Sequence, residues 1–531
     1  MQTSLPTPVP SRSALKRVAA IDLGTNSFHA VVADLHADGG FEVVDTLKEM
    51  VLLGEGADEH GLHPDAVDRG IAALRIFRSL CDGHGVERIL AYATSAIREA
   101  RNGGAFIQRA IDETGIKVNA ISGLLEAELI AHGVRHGLDL GQEEHLMVDI
   151  GGGSVEFIIG TQDETRHMES LKLGVARLKA AFVRNDPPKP KDLKAMKRHI
   201  EAKIDATASV WKAGTAARSR TLIGSSGTFQ AVALLIARFR DVDVPEALNG
   251  FEFTGRDVSD LLDAIAPMDR KRRSALAGLD ARRIDLIVPG LTLIRSLMDA
   301  FGCDKVKIST QALREGILIR YLQKMLRKGE AHVPESSPRR KSIMELARRC
   351  NWHEAHSRHV CALSLQMFDH VAPWMELEPA DRELLEYAAL LHDIGYHISH
   401  RSHHKHALYI ILNSDLRGFD SNEAAVIAHV ARYHRRSTPK PRHAEFSALD
   451  RKVRNRIEKL AAILRVADGL DRSHYQNVKR MELETTPEEF RIRIHSLSDP
   501  ELEIWGAERK SDLLRKKLGR KVVITAAPVR S

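Results

Sequence analysis

The segment Leu146–Gly160, LMVDIGGGSVEFIIG, limits the fold of this chain more than any other. An apolar run ends at Asp149, three consecutive glycines follow, and a second apolar run containing Glu156 begins after Ser154. The residues after the glycines are mostly β-branched or aromatic, and such residues favour extended backbone. The pattern therefore predicts a strand–turn–strand hairpin and not a strand–turn–helix unit.

The composition of this turn also indicates a ligand. Consecutive glycines, Gly151, Gly152 and Gly153, allow backbone N–H groups to converge on one point, with no Cβ in the way, and such a nest binds phosphate oxygens. Asp149 and Glu156 bring carboxylates to the same place, where they would repel phosphate unless a divalent cation lay between them. The hairpin therefore predicts a site for a metal ion together with a phosphate group.

The segment Val18–Asp34 repeats this design, with Asp22 before a Gly24-Thr25-Asn26-Ser27 turn. Both copies read D-x-G-x-x-S, and Asp22 and Asp149 lie 127 residues apart, which is about the length of one domain. Two matched hairpins, each opening a domain-sized segment, predict two similar α/β halves. We expect the halves to face each other across a cleft, with one phosphate-binding hairpin from each.

Other candidate site residues follow short predicted strands. The turn Gly224-Ser225-Ser226-Gly227-Thr228 lies between a strand and a helix, and the N–H groups of a helix N-terminus provide a third anion site. Ser95 is predicted to cap a helix that carries Arg98 towards the cleft, where its guanidinium could grip phosphate. Glu126 occupies a similar position after the next strand and is a candidate for the base that the chemistry requires.

Composition narrows the functional classes. A length of 531 residues predicts several domains, and a net charge of +7 favours an anionic ligand. Aromatic residues make up 5% of the chain, so stacking platforms for single-stranded nucleic acid are not expected. Four scattered cysteines without a CxxC pair indicate a reducing compartment, and no apolar run is long enough for a membrane span. We therefore expect a cytoplasmic protein that binds neither nucleic acid nor membrane, and we interpret the basic clusters 270–273 and 282–283 as solvated surface.

Beyond residue 341 the sequence becomes almost entirely helical, and its histidines are concentrated. Twelve of the 26 histidines fall between His353 and His434. A histidine at position 356, the adjacent pair His392 and Asp393, and a distant Asp468 are all placed on helices. Nitrogen and oxygen ligands of this kind can converge on one divalent cation. The pattern predicts a second metal site, with ligands His356, His392, Asp393 and Asp468.

Six motifs in fixed order resemble those of the exopolyphosphatase/guanosine pentaphosphate phosphatase family. They are DLGTNS at 22–27, ATSAIREA at 93–100, ISGLLEA at 121–127, DIGGGSVE at 149–156, GSSGT at 224–228 and LREG at 313–316. The resemblance implies the fold shared by acetate and sugar kinases, chaperone ATPases and actin (ASKHA). That fold is α/β, with two actin-like, ribonuclease H-like halves around a cleft. In the long form of the family an all-α HD-like domain and a small α/β C-terminal cap follow.

The resemblance also implies roles for the site residues. Glu126 would be the general base, Asp149 and Glu156 would support Mg²⁺ (or Mn²⁺) and the attacking water, and Arg98 would grip the terminal phosphate. The residues implied to bind phosphate oxygens are Asp22, Gly24, Thr25, Asn26, Ser27, Gly151, Gly152, Gly153, Ser154, Gly224, Ser225, Ser226, Gly227 and Thr228. The helical domain of long family members resembles His-Asp phosphohydrolases, which makes a second divalent metal an open question. Family members are often homodimers.

These expectations give predicted domain boundaries and a leading functional hypothesis with its alternatives. The predicted segments are a disordered tail at 1–16, actin-like halves at 17–137 and 138–327, a linker at 328–341, a helical HD-like domain at 342–480 and a small α/β domain at 481–531. The leading functional hypothesis is an exopolyphosphatase acting on inorganic polyphosphate with metal assistance. The alternative is hydrolysis of guanosine pentaphosphate to tetraphosphate, which the shared motifs do not separate from it. A kinase of the same fold and an alarmone-binding sensor are the other readings.

Overall fold

A computed structural model describes residues 15–36, 39–57, 61–213, 218–240, 248–328 and 337–527. The chain forms two compact units, Met1–Pro338 and Arg339–Ser531. The predicted linker falls largely outside the described residues, as does nearly all of the predicted N-terminal tail. Among the described residues, no helix combines the length and apolar character that crossing a bilayer requires.

The first half of the first unit begins with the predicted hairpin. Its elements are β1 (Lys16–Leu23), β2 (Ser27–Leu35), β3 (Phe41–Met50), α1 (Pro64–Gly83), β4 (Arg88–Ala93), α2 (Ser95–Glu99), α3 (Gly103–Thr114), β5 (Val118–Ala120) and α4 (Gly123–Gly137). The strands form one sheet in the order β3-β2-β1-β4-β5. Strands β1, β2 and β3 pair antiparallel, whereas β4 pairs parallel with both β1 and β5.

The second half repeats this arrangement with insertions. Its elements are β6 (Glu144–Ile150), β7 (Val155–Gly160), β8 (Thr165–Leu171), α5 (Val175–Phe182), α6 (Pro190–Ala213), β9 (Arg218–Ser225), α7 (Ser226–Phe239), β10 (Glu252–Thr254), α8 (Gly255–Ile265), α9 (Arg270–Ser274), α10 (Ile287–Phe301), β11 (Lys305–Ile308) and α11 (Leu313–Lys328). The strand order is β10-β11-β9-β6-β7-β8. Apart from the added edge strand β10, the order and the parallel or antiparallel sense match the first sheet. The predicted duplication of an α/β half is confirmed.

Two helices lie between the two sheets. One buried cluster joins residues of the first sheet, such as Val18, to residues of the second, such as Met147, through α4 and α11. The two helices can cross closely because residue 316 is a glycine. A Cβ at this position would lie 1.7 Å from the carbonyl oxygen of Leu129. Helix α11 therefore packs against α4 of the first half, although the sequence predicts it within the second half. This packing fixes α4, whose first turn carries Glu126.

The second unit is helical and ends in a small sheet. Its elements are α12 (Pro338–Arg349), α13 (Glu354–Met375), α14 (Pro379–Leu391), α15 (His403–Leu412), α16 (Ser421–Arg432), α17 (Ala444–Ser447), α18 (Arg451–Gly469), β12 (Val478–Thr485), β13 (Glu489–Ser496), α19 (Glu501–Glu508), α20 (Asp512–Leu518) and β14 (Lys521–Ala526). The sheet order is β12-β13-β14. One buried cluster runs from Ile343 to Ile524, so the helices and the small sheet share a core.

Candidate active site

The two predicted hairpin turns have the same backbone geometry. The N–H of Gly24 donates to the carbonyl of Ser27 at 3.2 Å, and the N–H of Gly151 donates to the carbonyl of Ser154 at 3.0 Å. In each turn the acid two residues earlier, Asp22 or Asp149, is the second-to-last residue of the first strand. The sequence repeat D-x-G-x-x-S therefore encodes one structural unit that the chain uses twice.

A neighbouring segment holds the carbonyl groups of each turn. The N–H groups of Gly174, Val175 and Ala176 donate to Gly153, Gly151 and Gly152 at 3.2, 3.1 and 3.0 Å, and residues 51, 52 and 54 do the same for Thr25 and Asn26. Within the described part of the chain, the N–H groups of Gly152 and Gly153 have no protein acceptor, nor do those of Thr25 and Asn26. Donors fixed in this way form the nests that bind phosphate oxygens.

The two turns face one cleft. A Cβ on Gly152 would lie 2.8 Å from the Asn26 amide nitrogen, and a Cβ on Gly153 would lie 2.3 Å from the Ser95 hydroxyl. The Thr25 and Ser95 hydroxyl oxygens are 3.0 Å apart. Ser95 is the first residue of α2, whose N-cap is Thr94 without a side-chain cap bond, so the predicted capping role of Ser95 is wrong. Its hydroxyl instead joins the two turns.

Four carboxyl groups converge below the turns. Asp149 and Glu156 are direct partners on the antiparallel strands β6 and β7, which puts both side chains on one face of the sheet. Glu126 is 7% exposed and Glu156 is 1% exposed. The negative charge of Glu126 acts on both Asp22 and Glu156, and that of Asp149 acts on the other three.

Burial and mutual repulsion shift the ionisation of this group. Burial, followed by the charges of Glu126 and Asp149, raises the pKa of Asp22 to about 7, against the opposing effect of Arg314. Burial raises the pKa of Glu126 to about 7 and that of Asp149 to about 6, and it raises the pKa of Glu156 well above its ordinary value. A cluster of acids held in this way favours a compensating cation.

Hydrogen bonds orient each carboxylate. The Arg98 Nη1 donates to Glu126 Oε2 and to the Ile121 carbonyl, both at 2.9 Å. The Ser225 hydroxyl donates to Asp149 Oδ2 at 2.6 Å, and the Ser170 hydroxyl donates to Glu156 Oε1 at 2.8 Å. A Cβ on Gly123 would lie 2.4 Å from Ser170 Cβ, so glycine lets the start of α4 approach β8 and brings Glu126 towards Glu156.

The donor set fits a hard divalent cation. Asp22 Oδ1 is buried and has no hydrogen-bond partner. The pKa of the Asp22 carboxyl is raised, in part by the charge of Asp149. Buried carboxylate oxygens of this kind are the ligands that Mg²⁺ prefers, together with waters and substrate phosphates. Asp22, Asp149 and Glu156 are therefore the residues that would hold the ion.

Replacing Asp22 tests this charge cluster through stability. A carboxyl whose pKa is raised by folding stabilises the protein below its unfolded pKa, and that contribution is lost as the pH rises through about 7. With a chelator present to remove metal ions, we expect Asp22→Asn to raise the free energy of unfolding at pH 8 by about 1–3 kcal/mol over the wild type. The substitution removes a buried charge that has no partner. The gain should shrink towards pH 4 and in millimolar Mg²⁺. Thermal denaturation of both proteins at pH 4 and pH 8, with and without Mg²⁺, measures the difference in stability. The same difference at both pH values would contradict the explanation.

The third predicted turn supports the second one. Helix α7 begins at Ser226, whose φ is +87°, and the Thr228 hydroxyl donates to the carbonyl of Ile150 at 3.1 Å. The hydroxyls of Ser225 and Thr228 thus hold strand β6, and the phosphate-binding roles of all five residues of this turn stay predictions.

Several residues at this site were not predicted from the sequence. A Cβ on Gly227 would lie 2.0 Å from an Arg283 guanidinium nitrogen, so Arg283 is packed on the third turn and the interpretation of 282–283 as solvated surface is wrong for it. The same interpretation is wrong for Arg273 of the cluster 270–273, which is 3% exposed and whose Nη2 donates to Asp186 at 2.6 Å.

Arg314, in the LREG motif, donates to His29 Nδ1 at 2.9 Å, and His29 Nε2 donates to the Ser27 hydroxyl at 2.8 Å. Burial and the positive charges of Arg314, Lys48 and Arg283 lower the pKa of His29 to about 2, so this ring is neutral.

The predicted ligands of the second unit also come together. His356 Nε2 lies 3.2 Å from His392 Nε2 and 3.6 Å from a carboxylate oxygen of both Asp393 and Asp468. All four side chains are at most 8% exposed. The four residues span positions 356 to 468 of the sequence, and the structure brings them into one buried cluster.

The fold and the site define a class, that of actin-like proteins that act on phosphoryl groups. The chain belongs to the Ppx/GppA phosphatase family, whose family model matches residues 31–325 and whose domain III model matches residues 339–518. It is therefore a member of a phosphatase family of the actin-like fold.

Curated relatives and solved structures agree with this assignment. The chain is 29% identical over 454 residues to a guanosine-5'-triphosphate,3'-diphosphate pyrophosphatase of Vibrio vulnificus, covering 84% of this chain and 86% of the relative. It is 31% identical over 421 residues to the protein of that name from Pseudoalteromonas translucida, covering 78% and 80%. An exopolyphosphatase crystal structure from Cytophaga hutchinsonii aligns with a TM-score of 0.55 and 31% identity, covering 58% of this chain and 98% of that one.

Proposed function

We propose that this chain is an exopolyphosphatase, which hydrolyses the terminal phosphate of inorganic polyphosphate. The observation that carries the proposal is the position of Glu126. It is a buried carboxylate held by Arg98, and it lies within electrostatic reach of the acids that would hold a metal ion. A base in such a position can direct a water molecule at a phosphoryl group.

The chain's own groups account for each step. The free N–H groups of the two turns bind the oxygens of the terminal phosphate, and Arg98 keeps the Glu126 carboxylate in one orientation. Glu126 accepts a proton from water as the water oxygen bonds to the terminal phosphorus. The bond from that phosphorus to the bridging oxygen breaks, and the products are inorganic phosphate and a chain shorter by one phosphate. Mg²⁺, when bound, would neutralise charge on the phosphate oxygens.

Basic residues near the cleft support a polyanionic substrate. Burial lowers the pKa of the Lys48 ammonium, and the positive charges of Arg283 and Arg314 lower it further, against the opposing effect of Asp280. The side chains of Lys48, Arg283 and Arg314 come from three separate parts of the first unit, yet the two arginines are close enough to Lys48 to repel it. Such a concentration of like charge is unfavourable by itself and is stabilised by a ligand that carries several negative charges.

Arg283 tests this interpretation of the basic residues. We expect Arg283→Gln to raise the KM for long-chain polyphosphate on the order of tenfold, because a hydrogen bond to a charged group contributes about 1.5–3 kcal/mol. The value of kcat should change little, and the dependence of KM on salt should become shallower. Arg282→Gln is the matched control, because that exposed side chain already pairs with Asp280 at 3.0 Å. Equal effects of the two substitutions argue against a specific role for Arg283.

Hydrolysis of guanosine pentaphosphate is the second candidate, because both curated relatives carry a name for that activity. The same Glu126 and the same turns would act on its terminal phosphate. Phosphate release from polyphosphates of several lengths and from guanosine pentaphosphate, each with and without Mg²⁺, separates the two. A higher kcat/KM for long-chain polyphosphate supports the proposal, and a higher value for the pentaphosphate supports the second candidate. ATP-dependent transfer to an acceptor, or tight alarmone binding without turnover, would overturn both.

A further inference from the structure

The two hairpins differ at the residue that lies opposite the acid. On the antiparallel strands β1 and β2, Asp22 lies opposite His29, and at the equivalent place on β6 and β7, Asp149 lies opposite Glu156. Directly opposite residues on antiparallel strands have neighbouring side chains on one face of the sheet. The second hairpin therefore places two carboxyls side by side, whereas the first places a carboxyl beside an imidazole.

Each of these opposite residues contacts the serine of its own turn, which lies two positions earlier in the sequence. His29 Nε2 lies 2.8 Å from the Ser27 hydroxyl oxygen. Glu156 accepts a hydrogen bond from the hydroxyl of Ser154, which is 3% exposed. An ionised carboxylate is only an acceptor, so the hydroxyl proton of Ser154 is directed at Glu156.

Arg314 sets the direction of the corresponding hydrogen bond in the first hairpin. A guanidinium has no acceptor, so Arg314 Nη1 donates to His29 Nδ1, at 2.9 Å. The pKa of His29 is lowered to about 2, which keeps the ring neutral, and a neutral ring that accepts at Nδ1 carries its proton on Nε2. His29 therefore donates to Ser27, and the serine oxygen accepts. Arg314, His29 and Ser27 form a hydrogen-bonded series, the serine relay, whose direction is opposite to that of the bond between Ser154 and Glu156.

The direction of the serine relay leaves the hydroxyl proton of Ser27 available. A hydroxyl group donates one proton, and its oxygen can accept hydrogen bonds at the same time. Within the described residues, the only side-chain hydrogen bond of the Ser27 hydroxyl is the one from His29. The N–H groups of Thr25 and Asn26, in the same turn, have no protein acceptor in the described part of the chain. The first turn thus has a side-chain donor in addition to its backbone donors.

The charges around the two turns differ in the same sense. Three positive side chains act on His29, and one of them, Lys48, lies opposite it on β3. Two carboxyls, those of Glu126 and Asp149, act on Glu156. An anion is therefore favoured beside His29 and a cation beside Glu156.

We propose that His29 is a positioning residue, held by Arg314, that fixes the Ser27 hydroxyl as a hydrogen-bond donor to the terminal phosphate of the substrate. The matching serine of the second turn, Ser154, instead orients Glu156. The first turn then binds phosphate with a side chain as well as with its backbone, and the second turn with its backbone alone. This inference rests on the proposed function, because a phosphate group has to occupy the cleft.

Binding of tripolyphosphate tests the serine relay separately from turnover. The parent is the full-length Glu126→Gln protein with Mg²⁺, and calorimetry gives the Kd. We expect Ser27→Ala to weaken binding by about 10- to 100-fold and His29→Leu by about tenfold, the range for a hydrogen bond to a charged group. Both substitutions together should cost no more than Ser27→Ala alone, because His29 acts through Ser27. Losses that multiply in the double variant would overturn the proposal.

Two further substitutions of His29 test the direction of the hydrogen bond. The amide of His29→Gln can donate to Ser27 and accept from Arg314, so the Kd should stay within about threefold of the parent value. His29→Glu should weaken binding more than His29→Leu, because a carboxylate takes the hydroxyl proton of Ser27. A loss in His29→Gln as large as that in His29→Leu would overturn the proposal. Nitrogen NMR shifts of the His29 ring should show the proton on Nε2, and a proton on Nδ1 would also overturn it.

His84→Leu is the matched control. His84 belongs to the same half, and its Nε2 lies 2.9 Å from Asp45 Oδ2, on the part of β3 that pairs with Val32 and not with the turn. This variant should bind tripolyphosphate as the parent does, and thermal denaturation should show that every variant is folded.

Phosphate release by the chain with Glu126 intact separates this inference from the proposed function. The expected order of tripolyphosphate affinities without phosphate release from any substrate would overturn the proposed function and support the serine relay. Phosphate release together with equal affinities in all the His29 variants would overturn the serine relay alone. A parent protein that does not bind tripolyphosphate would overturn both.

Discussion

Replacing Glu126 by glutamine should lower kcat for terminal phosphate release by about 10²–10⁴-fold, the range that a general base typically contributes. The amide keeps the size of the side chain and can still accept the Arg98 hydrogen bond, which measures 2.9 Å in the wild type. It cannot take a proton from water. The KM for polyphosphate should stay within a few fold of the wild-type value, because the turns that we propose bind phosphate are not altered. Steady-state kinetics with phosphate detection provide the measurement.

The pH profile supplies a second readout for this residue. Burial raises the pKa of Glu126 to about 7, and the base must be ionised to act, so wild-type kcat/KM should rise about tenfold per pH unit below an inflection at or under 7. Glu126→Gln should lack that rise. Glu128→Gln is the control on the same helix, where Glu128 contacts His132 at 3.9 Å and Arg320 at 3.8 Å. A Glu126→Gln enzyme with wild-type turnover would show that another group is the base.

Replacing Gly174 by alanine should reduce kcat/KM by at least about 100-fold, the loss expected when catalytic groups move by about 1 Å. A Cβ at this position would lie 2.3 Å from the carbonyl carbon and oxygen of Gly152 and 2.5 Å from the carbonyl carbon of Gly153. These are backbone atoms, so the turn that we propose binds phosphate must itself move. The φ of Gly174 is −63°, which any residue adopts, and the expected loss therefore comes from the close approach alone.

Gly104→Ala is the matched control for this substitution. Gly104 lies in α3, and a Cβ there meets no atom within 4 Å. Alanine stabilises a helix relative to glycine by about 1 kcal/mol, so this variant should keep its activity and melt at the same or a higher temperature. Thermal denaturation of both variants, together with their kinetics, separates displacement of the turn from general unfolding. Normal turnover in Gly174→Ala would mean that the turn does not hold the reacting phosphate.

The hairpins, their repetition and most strands could be predicted from the sequence, because each depends on local properties. Glycine runs, β-branched residues and paired acids act over a few residues, and a repeat of 127 residues reports a duplicated half without knowledge of its contacts. Arg98 and Glu126 were found by the same reasoning and by resemblance, and the structure pairs them.

Other features depend on contacts between distant residues. The sequence gives no local sign that Arg283 packs on Gly227, that Gly174 approaches Gly152, or that Arg314 reaches His29. Serine is a residue type that commonly caps helices, and the local sequence therefore predicted that role for Ser95. In the structure Ser95 follows the N-cap, and its hydroxyl instead lies against Gly153 of the second hairpin. In the second unit, His403 and His434 were two histidines among many until the helices brought both to Asp393.

The sequence by itself determined that this chain has two glycine-turn hairpins with matched acids, the duplicated α/β halves and the family to which it belongs. Only the tertiary structure decided which charged side chains are buried together, and therefore which carboxyls have raised pKa values and which histidines direct Nε2 to the shared Asp393. The physical reason is that strand and turn preferences act along the chain, whereas burial and charge interactions depend on the distance between residues in space.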